Sequence, residues 1–556
     1  MFTPMGRVGI VLCAGGLLLG AAVTAPGFQQ APPAPVNRQT YRVAMADGVH
    51  LATDVYLPAG TGRVPAVVLR TPYDRNQGRG IGADGTRRGY VVVIQDTRGR
   101  SASEGRNLPF EGDGWWEGRQ DGVDTLRWVA AQPWCSGKIG TMGGSALGIT
   151  QLYAAAAGAR PLDAQVIHVG APSFFHHLTF SGGVFRKAMI EDWLRGTRHD
   201  SESLAFWTRS SRYDAFWRER DMSRRYTHVN VPAVHVGGWY DIFAQGVIDA
   251  YQGYQRHGGP RSRGTQKLVM GPWTHGIFRD AAGDLSFRGG ARPPGSISDP
   301  WAWLDHHLKG VDNGIERTPA VTYYTMGDTS DPKAPGNEWR TADRWPPHNA
   351  PPTRWYLHGG GVLSPDPPGK AESRSFFYDP ADPCPTVGGP QLTLPSGTKD
   401  QRPIEGRPDV LLFTSAPLSE PVEVTGRVRL RLWAASDGAD TDFAAKLCDV
   451  YPDGRSYNVC EGILRARFRG GFDHERPLKP GKRFQAEVDL WSTSIVFARG
   501  HRLRLLVTSS NAPGWDPNPN TGEPFRAGTR TRVAKNTLFL AGSAPSHLLL
   551  PVAPGR

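Results

Sequence analysis

The feature that most constrains this chain is a serine placed between an apolar strand and an alanine-rich helix. Residues 138–150 run from an apolar strand into Gly143-Gly144-Ser145, and the helix that follows ends near Gly158. A serine on so sharp a turn holds its hydroxyl above the edge of a sheet, and its neighbours must be small, which glycine satisfies. The pattern therefore predicts that Ser145 is a nucleophile.

The motif departs from its usual spacing at one position. The usual pattern has glycine two residues after the serine, whereas this chain has Leu147 there and Gly148 one residue later. A tight strand-to-helix loop without catalytic function would use the same residue types, so the residues around Ser145 leave both interpretations open.

Long apolar runs predict the sheet around this turn. Residues 64–70, 90–96 and 164–169 are typical of strands buried on both faces, and residues 121–131 have a helical pattern. Strands and helices that alternate in this way predict a doubly wound, mostly parallel sheet.

Two later strands end in an acid, Asp241, and in a histidine, His275. Either residue alone is more commonly a turn or core residue. A serine, an acid and a histidine in this order, each just past a strand, are typical of an α/β-hydrolase triad. The sequence therefore predicts an α/β-hydrolase domain over residues 36–171 and 231–344. In it, His275 would act as the base for Ser145, and Asp241 would orient the imidazole.

The segment between the two halves of this domain, residues 172–230, is crowded with aromatic residues and has a helical pattern. An insertion at this point would form a helical cap over the carboxyl ends of the strands, where open α/β sheets bind ligands. We expect most of its aromatic residues to bury the cap against the sheet domain. Trp193 of the cap is a candidate for the substrate pocket, together with Trp239 and Phe243 beside the predicted acid.

An oxyanion hole needs two hydrogen-bond donors, and losing one typically lowers the rate by roughly 100- to 1000-fold. The backbone N–H of Ala146 is the expected first donor. No HGGG-type loop follows the third predicted strand, but Tyr73 stands there and offers a phenolic hydroxyl. From the residues alone, Tyr73 could equally be a packing residue.

The composition changes after a proline-rich linker at residues 345–352. Short strands separated by turns follow, and they predict a C-terminal β-sandwich over residues 353–553. Within it, Cys448 and Cys460 lie six residues on either side of Gly454 in a Pro-Asp-Gly turn. We predict a cross-strand disulfide here, with two buried thiols as the alternative.

The remaining composition excludes several classes of partner. The net charge of +12 comes from scattered arginines with no basic run of six, so we expect no nucleic-acid partner. No cysteine or histidine spacing resembles a zinc site, and we predict neither a metal nor another cofactor. The pairing of Cys135 with Cys384 and the oligomeric state cannot be read from the sequence.

The N-terminus has the pattern of an export signal. A positively charged start is followed by an apolar run over residues 8–23 and by small residues up to Ala25. This run is shorter than the roughly 20 residues that span a bilayer. We therefore expect residues 1–25 to be a cleaved signal peptide, leaving a periplasmic or secreted protein without a stable membrane anchor.

The motifs together resemble those of the cocaine esterase family. This family belongs with the Xaa-Pro dipeptidyl-peptidase-like serine hydrolases, which include glutaryl-cephalosporin acylases and α-amino-acid ester hydrolases. The resemblance spans nearly the whole mature chain and implies a C-terminal jelly-roll domain. It places the nucleophile, acid and base on Ser145, Asp241 and His275, and the oxyanion hole on Tyr73 and the N–H of Ala146. The motifs that carry it are Thr71-Pro72-Tyr73-Asp74-Arg75, Gln95-Asp96-Thr97-Arg98-Gly99, Ser103-Glu104-Gly105, Gln132-Pro133-Trp134, Gly238-Trp239-Tyr240-Asp241 and Gly271-Pro272-Trp273-Thr274-His275.

Two departures from the family pattern bear on the substrate. Ala146 stands where the family commonly has tyrosine, which implies a roomier wall beside the serine. α-Amino-acid ester hydrolases bind the substrate ammonium with carboxylates soon after the acid, where this chain has Ile242-Phe243-Ala244. Glu191 and Asp192 of the cap could substitute for these carboxylates, although a surface position is expected for both.

The sequence therefore favours an exported serine hydrolase that cleaves small-molecule carboxylic esters, or activated amides, with a bulky acyl group. A dipeptidyl-peptidase or acylase acting on amides is the alternative. A non-catalytic binding protein on a hydrolase scaffold is a further alternative, against which the three triad residues argue.

Overall fold

The computed structural model describes residues 37–60, 62–370, 372–542 and 545–554. The predicted signal peptide, residues 1–25, lies outside these ranges. Within them, none of the helices combines the length and the apolar character that crossing a membrane requires.

The N-terminal half is built on one large sheet. Its strands, with two small hairpins, are β1 (Asn37–Ala44), β2 (His50–Leu57), β3 (Val64–Thr71), β4 (Val91–Asp96), β5 (Cys135–Gly144), β6 (Ala164–His168), β7 (Phe180–Ser181), β8 (Val184–Phe185), β9 (Ala233–Gly238), β10 (Lys267–Gly271), β11 (Ala281–Ala282), β12 (Leu285–Ser286), β13 (Val321–Thr325) and β14 (Glu338–Ala342). Ten of them pair in the order β1-β2-β4-β3-β5-β6-β9-β10-β13-β14. The seven strands from β4 to β13 in this order are parallel, and β1, β2 and β14 are antiparallel at the edges. The carboxyl ends of the parallel strands therefore meet at one edge, which is where ligands bind in such sheets.

Helices cover both faces of this sheet. The helices of the N-terminal half are α1 (Arg79–Arg87), α2 (Asp121–Ala130), α3 (Ala146–Ala156), α4 (Lys187–Gly196), α5 (Glu202–Thr208), α6 (Ala215–Glu219), α7 (Ala244–His257) and α8 (Pro300–Lys309), of which α4, α5 and α6 belong to the cap. Alternate residues of β3 and β4 face α2 and α3 on one side, and α8 on the other. Because both faces are covered, these strands consist of continuous apolar runs, as the sequence indicated.

The cap lies between β6 and β9. It consists of a π-helical segment (Phe174–Thr179), the hairpin β7–β8, the helices α4 to α6 and a 3₁₀ segment (Met222–His228). Its aromatic side chains join the core cluster that also contains α2 and α3, and Trp207 and Trp217 are buried there. Most of the cap aromatics therefore attach it to the sheet domain, as expected.

The C-terminal domain is an all-β jelly roll. Its elements are β15 (Thr353–Leu357), β16 (Leu363–Ser364), β17 (Ser373–Tyr378), α9 (Arg402–Glu405), β18 (Leu411–Thr414), β19 (Val422–Ser436), β20 (Asp442–Val450), β21 (Ser456–Arg465), β22 (Phe484–Phe497), β23 (Arg502–Thr508), β24 (Ala534–Phe539) and β25 (His547–Leu550). One sheet has the order β16-β15-β25-β19-β24-β17, with β22 also paired to β19, and the other has the order β18-β23-β20-β21. The α/β hydrolase with a helical cap and a C-terminal all-β domain is therefore the observed fold.

The predicted disulfide between Cys448 and Cys460 is wrong, because both cysteines are free. The two residues do lie on paired strands, β20 and β21, but the register shifts between Leu447 and Cys448, so that Cys460 pairs with Leu447. Cys460 and Leu447 face the main core, whereas Cys448 faces a separate cluster that includes Cys384. A β-bulge therefore places the two sulfurs on opposite faces of the sheet.

Candidate active site

Ser145 lies on a strained turn between β5 and α3. Its φ of 58° and ψ of −123° are unfavourable for a residue with a side chain. A Cβ on Gly143 would come within 2.5 Å of the Leu147 Cβ, and one on Gly148 within 2.7 Å of the His168 carbonyl oxygen. The unusual spacing of the motif is thus explained, since the second glycine is needed one residue later, where α3 crosses β6.

The acid and the histidine follow neighbouring strands. Asp241 comes after β9 and is fully buried, and its Oδ1 accepts a hydrogen bond of 2.8 Å from the Phe243 N–H. His275 comes after β10. Its Nδ1 lies 2.6 Å from Asp241 Oδ2, and its Nε2 lies 2.9 Å from Ser145 Oγ. With Nδ1–H donating to the carboxylate, the lone pair on Nε2 faces the Ser145 hydroxyl and can accept a hydrogen bond from it.

Tyr73 lies beside this chain of hydrogen bonds. It follows β3, and its backbone N–H donates to Thr71 Oγ1 over 3.0 Å. Burial raises the pKa of the Tyr73 phenol, and hydrogen bonds with Trp193, Ser145 and the Ala146 amide oppose this shift. The phenol is therefore protonated at neutral pH, and its oxygen is close to both the serine and the Ala146 amide.

The three predicted pocket residues are not all in one place. Trp193, on α4, donates its indole N–H to the Tyr73 hydroxyl over 3.1 Å, and its ring is parallel to that of Phe110 at 6.0 Å. The Phe243 ring meets the His275 ring edge-on at 5.8 Å. These two residues therefore border the candidate site. Phe110 was missed by the sequence reasoning, because no pattern marks its position.

Trp239 lies elsewhere. Its indole N–H donates to the Tyr324 carbonyl oxygen over 2.7 Å, and its ring packs on Trp345 at 5.4 Å, within the core shared with the jelly roll. The expectation that Trp239 lines the pocket is therefore replaced by a packing role. Both Trp239 and Asp241 follow the end of β9 at Gly238, where the Asp241 N–H donates to the Gly238 carbonyl oxygen in a turn, so the alternation of a strand no longer relates their side-chain directions.

The two cap carboxylates already have partners. Glu191 forms an ion pair of 2.6 Å with Arg526 of the jelly roll. Asp192 pairs with Arg195 at 2.8 Å and accepts a hydrogen bond of 2.8 Å from Thr393. These contacts join the cap to the jelly-roll domain.

One side-chain group among the described residues has the composition of a metal site. The ligand atoms of His306, His307 and Glu316 lie within 4.8 Å of one another at the end of α8. His306 Nε2 is 3.0 Å from Glu316, whose side chain is 62% exposed, and His306 Nδ1 donates to the Val311 carbonyl oxygen. A hydrogen-bonded histidine–carboxylate pair accounts for these contacts, so the group adds nothing to the candidate site.

Comparisons with known proteins agree with this architecture. The family model for X-Pro dipeptidyl-peptidase (S15 family) matches residues 47–203 and 190–277, and the model for the X-Pro dipeptidyl-peptidase C-terminal non-catalytic domain matches residues 313–549. Cocaine esterase from Rhodococcus sp. (strain MB1 Bresler) is 32% identical over 577 residues, which cover 92% of this chain and 97% of that protein.

Two solved structures are similar over almost the whole chain. An α-amino acid ester hydrolase has a TM-score of 0.79 at 27% identity, covering 96% of this chain and 99% of that chain. An aminopeptidase from a marine sediment archaeon, Thaumarchaeota archaeon, also has a TM-score of 0.79, at 26% identity and with the same coverage. The resemblance to this group of enzymes is therefore confirmed along both domains. The chain belongs to the S15 family of X-Pro dipeptidyl-peptidase-like and cocaine-esterase-like serine hydrolases.

Proposed function

We propose that this protein is an exported serine hydrolase that cleaves carboxylic esters, and activated amides, through an acyl-enzyme. The observation that carries the proposal is the continuous chain of hydrogen bonds from Ser145 through His275 to Asp241, next to two donors on Tyr73 and Ala146. The same arrangement recurs in acyl-transfer enzymes on unrelated folds because each group has a separate chemical task.

In the acylation step, His275 Nε2 removes the hydroxyl proton as Ser145 Oγ attacks the carbonyl carbon. The buried carboxylate of Asp241 stabilises the imidazolium that forms. The Tyr73 O–H and the Ala146 N–H donate to the oxyanion. As the intermediate collapses, the alcohol leaves with the proton from His275. A water molecule then repeats the sequence on the acyl-enzyme, releasing the carboxylic acid and restoring Ser145.

The surroundings of Ser145 favour an acyl group that is bulky, apolar and uncharged. Trp193 and Phe243 present aromatic surface near the site, Phe110 stacks on the Trp193 ring, and Ala146 leaves room beside the serine. An ammonium group next to Phe243 would be buried without a counter-charge, which is unfavourable by several kcal/mol, on the order of a lost buried ion pair. The similarity to cocaine esterase supports an ester as the substrate.

The second candidate is a peptidase or acylase that acts on amides. The S15 family match and the similarity to a solved aminopeptidase favour it. A dipeptidyl-peptidase needs an anchor for the substrate ammonium, and the two cap carboxylates, Glu191 and Asp192, are already bound to Arg526, Arg195 and Thr393. We therefore rank the esterase first.

Hydrolysis of p-nitrophenyl esters of graded acyl size, compared with hydrolysis of Gly-Pro p-nitroanilide, tests both candidates. We expect the ester activity of Ser145→Ala to fall by at least about 10⁴-fold, because the nucleophile is lost. Ser136→Ala, which changes an exposed serine on the same strand, is the matched control and should retain full activity. Turnover of the anilide alone would favour the peptidase, and ester turnover that survives in Ser145→Ala would refute the proposed nucleophile.

Export rests on the pattern of residues 1–25. We expect the full-length chain, expressed in a Gram-negative host, to appear in the periplasm or medium with a mature N-terminus close to residue 26. The same chain without residues 1–25 should remain in the cytoplasm. N-terminal sequencing of each fraction measures this, and a full-length chain retained uncleaved in the cytoplasm would contradict the proposal.

A further inference from the structure

One buried cation touches all three parts of the molecule, and the mechanism above does not use it. Arg186 immediately precedes α4 and is 2% exposed. Its guanidinium donates to the carbonyl oxygens of His177 at 2.7 Å, Ile242 at 2.9 Å and Pro390 at 3.3 Å. These carbonyls belong to the cap, to the turn directly after Asp241 and to the jelly-roll domain.

Arg186 keeps its charge in spite of burial. Burial lowers the pKa of Arg186 to about 10, while the negative charges of Asp241 and Glu461 oppose this shift. Glu461 is already paired with Lys446 of the jelly roll at 3.3 Å. The side chain of His177 in the cap is paired with Asp249 of α7 at 3.1 Å, so the Asp249 carboxylate also has a partner. The Arg186 guanidinium lies beside the turn that carries Asp241, whose negative charge acts on it.

Asp241 needs such a charge in the resting enzyme. Its carboxylate is fully buried and contacts the Phe243 N–H and His275 Nδ1. A positive charge close to a buried carboxylate favours its ionised form. A protonated Asp241 could not stabilise the imidazolium.

We infer that Arg186 is a positioning residue for the acid of the triad. Its hydrogen bond to Ile242 fixes the turn that presents Asp241, and its charge beside this turn favours the ionised carboxylate. Because the same guanidinium also binds carbonyls of the cap and the jelly roll, the acid is correctly placed only when all three parts are assembled. This inference rests on the proposed function.

The pH dependence of kcat/KM for a p-nitrophenyl ester tests the inference with Arg186→Met and Arg186→Lys. Without the positive charge, the Asp241–His275 pair binds a proton more readily, so the acid limb of the Arg186→Met profile should move to higher pH by about one unit. We expect kcat at pH 7 to fall by up to about 10-fold on this shift, with a smaller change in KM. Arg186→Lys keeps the charge and should leave the acid limb in place.

A matched control separates this effect from a loss of packing. Arg220→Met removes another buried cap arginine, whose guanidinium lies near Glu111, Glu117 and Glu219. This variant should lose stability without moving the acid limb. If Arg186→Met fails to fold, Arg186→Gln carries the test, since glutamine keeps two N–H donors and removes the charge.

An acid limb that coincides with that of the wild type in the folded neutral variant would overturn the inference. So would an equal shift in Arg186→Lys and in the neutral variant. Activity that survives in Ser145→Ala would instead refute the proposed function itself, so the two failures are distinguishable.

Discussion

Trp193 connects the cap to Tyr73, the proposed oxyanion donor. An indole N–H can only donate, so the bond from Trp193 to the Tyr73 oxygen occupies a lone pair and leaves the phenolic proton free. That proton can then point to the oxyanion rather than to a neighbouring acceptor. In the proposed mechanism, the cap therefore contributes through the orientation of Tyr73, in addition to any contact with the acyl group.

We predict that Trp193→Phe lowers kcat by about 5- to 10-fold, the effect of one net hydrogen bond of about 1 kcal/mol. The aromatic surface parallel to Phe110 is retained, so KM should change less. Tyr73→Phe should lower kcat by roughly 100- to 1000-fold. Steady-state kinetics on one p-nitrophenyl ester measure both variants and their combination.

The combination is decisive, because Trp193 is proposed to act through Tyr73. In a Tyr73→Phe background, Trp193→Phe should have almost no further effect. Trp207→Phe is the matched control, since its buried indole N–H has no partner among the described residues. An equal loss of activity from Trp193→Phe in both backgrounds would show that the effect comes from packing alone.

At the scale of single residues, the order of residues after successive strands predicted the candidate site better than closeness in sequence did. The sequence anticipated the meeting of Ser145, Asp241 and His275, because each follows a parallel strand and the ends of such strands converge. Trp239 was placed wrongly because closeness to Asp241 in the chain does not fix the direction of a side chain. No sequence pattern pointed to Arg186 or Phe110, since most of the residues that they contact are distant in sequence.

At the scale of elements, the pairing of strands was predictable but their exact register was not. The Pro-Asp-Gly turn correctly indicated that β20 and β21 form a hairpin. The bulge at Leu447 and Cys448 shifts the register by one residue, which moves a side chain to the other face of the sheet. A disulfide inferred from equal spacing about a turn fails for this reason.

For the glycines around Ser145, the sequence showed the residues but did not show why they are needed. Gly143 and Gly148 were visible in the sequence, but the reason for their spacing was not. The close approach of Leu147 to Gly143, and of α3 to β6 at Gly148, explains why this variant of the motif forms the same turn. Such contacts depend on the crossing of two elements, which local sequence does not specify.

At the scale of the whole molecule, the hydrolase and jelly-roll domains share one core. The same cluster of buried side chains contains Trp239 and Tyr324 from the large sheet and Leu430 and Val488 from the jelly roll. Backbone hydrogen bonds also join the two domains. Just after β13, the Met326 N–H donates to the Ser494 carbonyl oxygen at 2.9 Å, and the Val496 N–H donates to the Met326 carbonyl oxygen at 2.8 Å. Neither domain can therefore be removed without exposing apolar surface and unpaired backbone groups.

We predict that the two domains unfold in one cooperative transition. Leu506→Ala tests this, because Leu506 is buried in a jelly-roll cluster with Cys384 and Cys448, apart from the shared core. The cavity should lower the free energy of unfolding by about 2–5 kcal/mol. Heat absorption in scanning calorimetry and loss of ester hydrolysis should then shift together to a lower temperature, with calorimetric and van't Hoff enthalpies in agreement.

The exposed substitution Val362→Ala, also in the jelly roll, is the control and should leave both temperatures unchanged. The contrary outcome is two separate heat-absorption peaks, with Leu506→Ala moving only one of them and hydrolysis still lost at the wild-type temperature. This result would show that the shared core does not couple the domains.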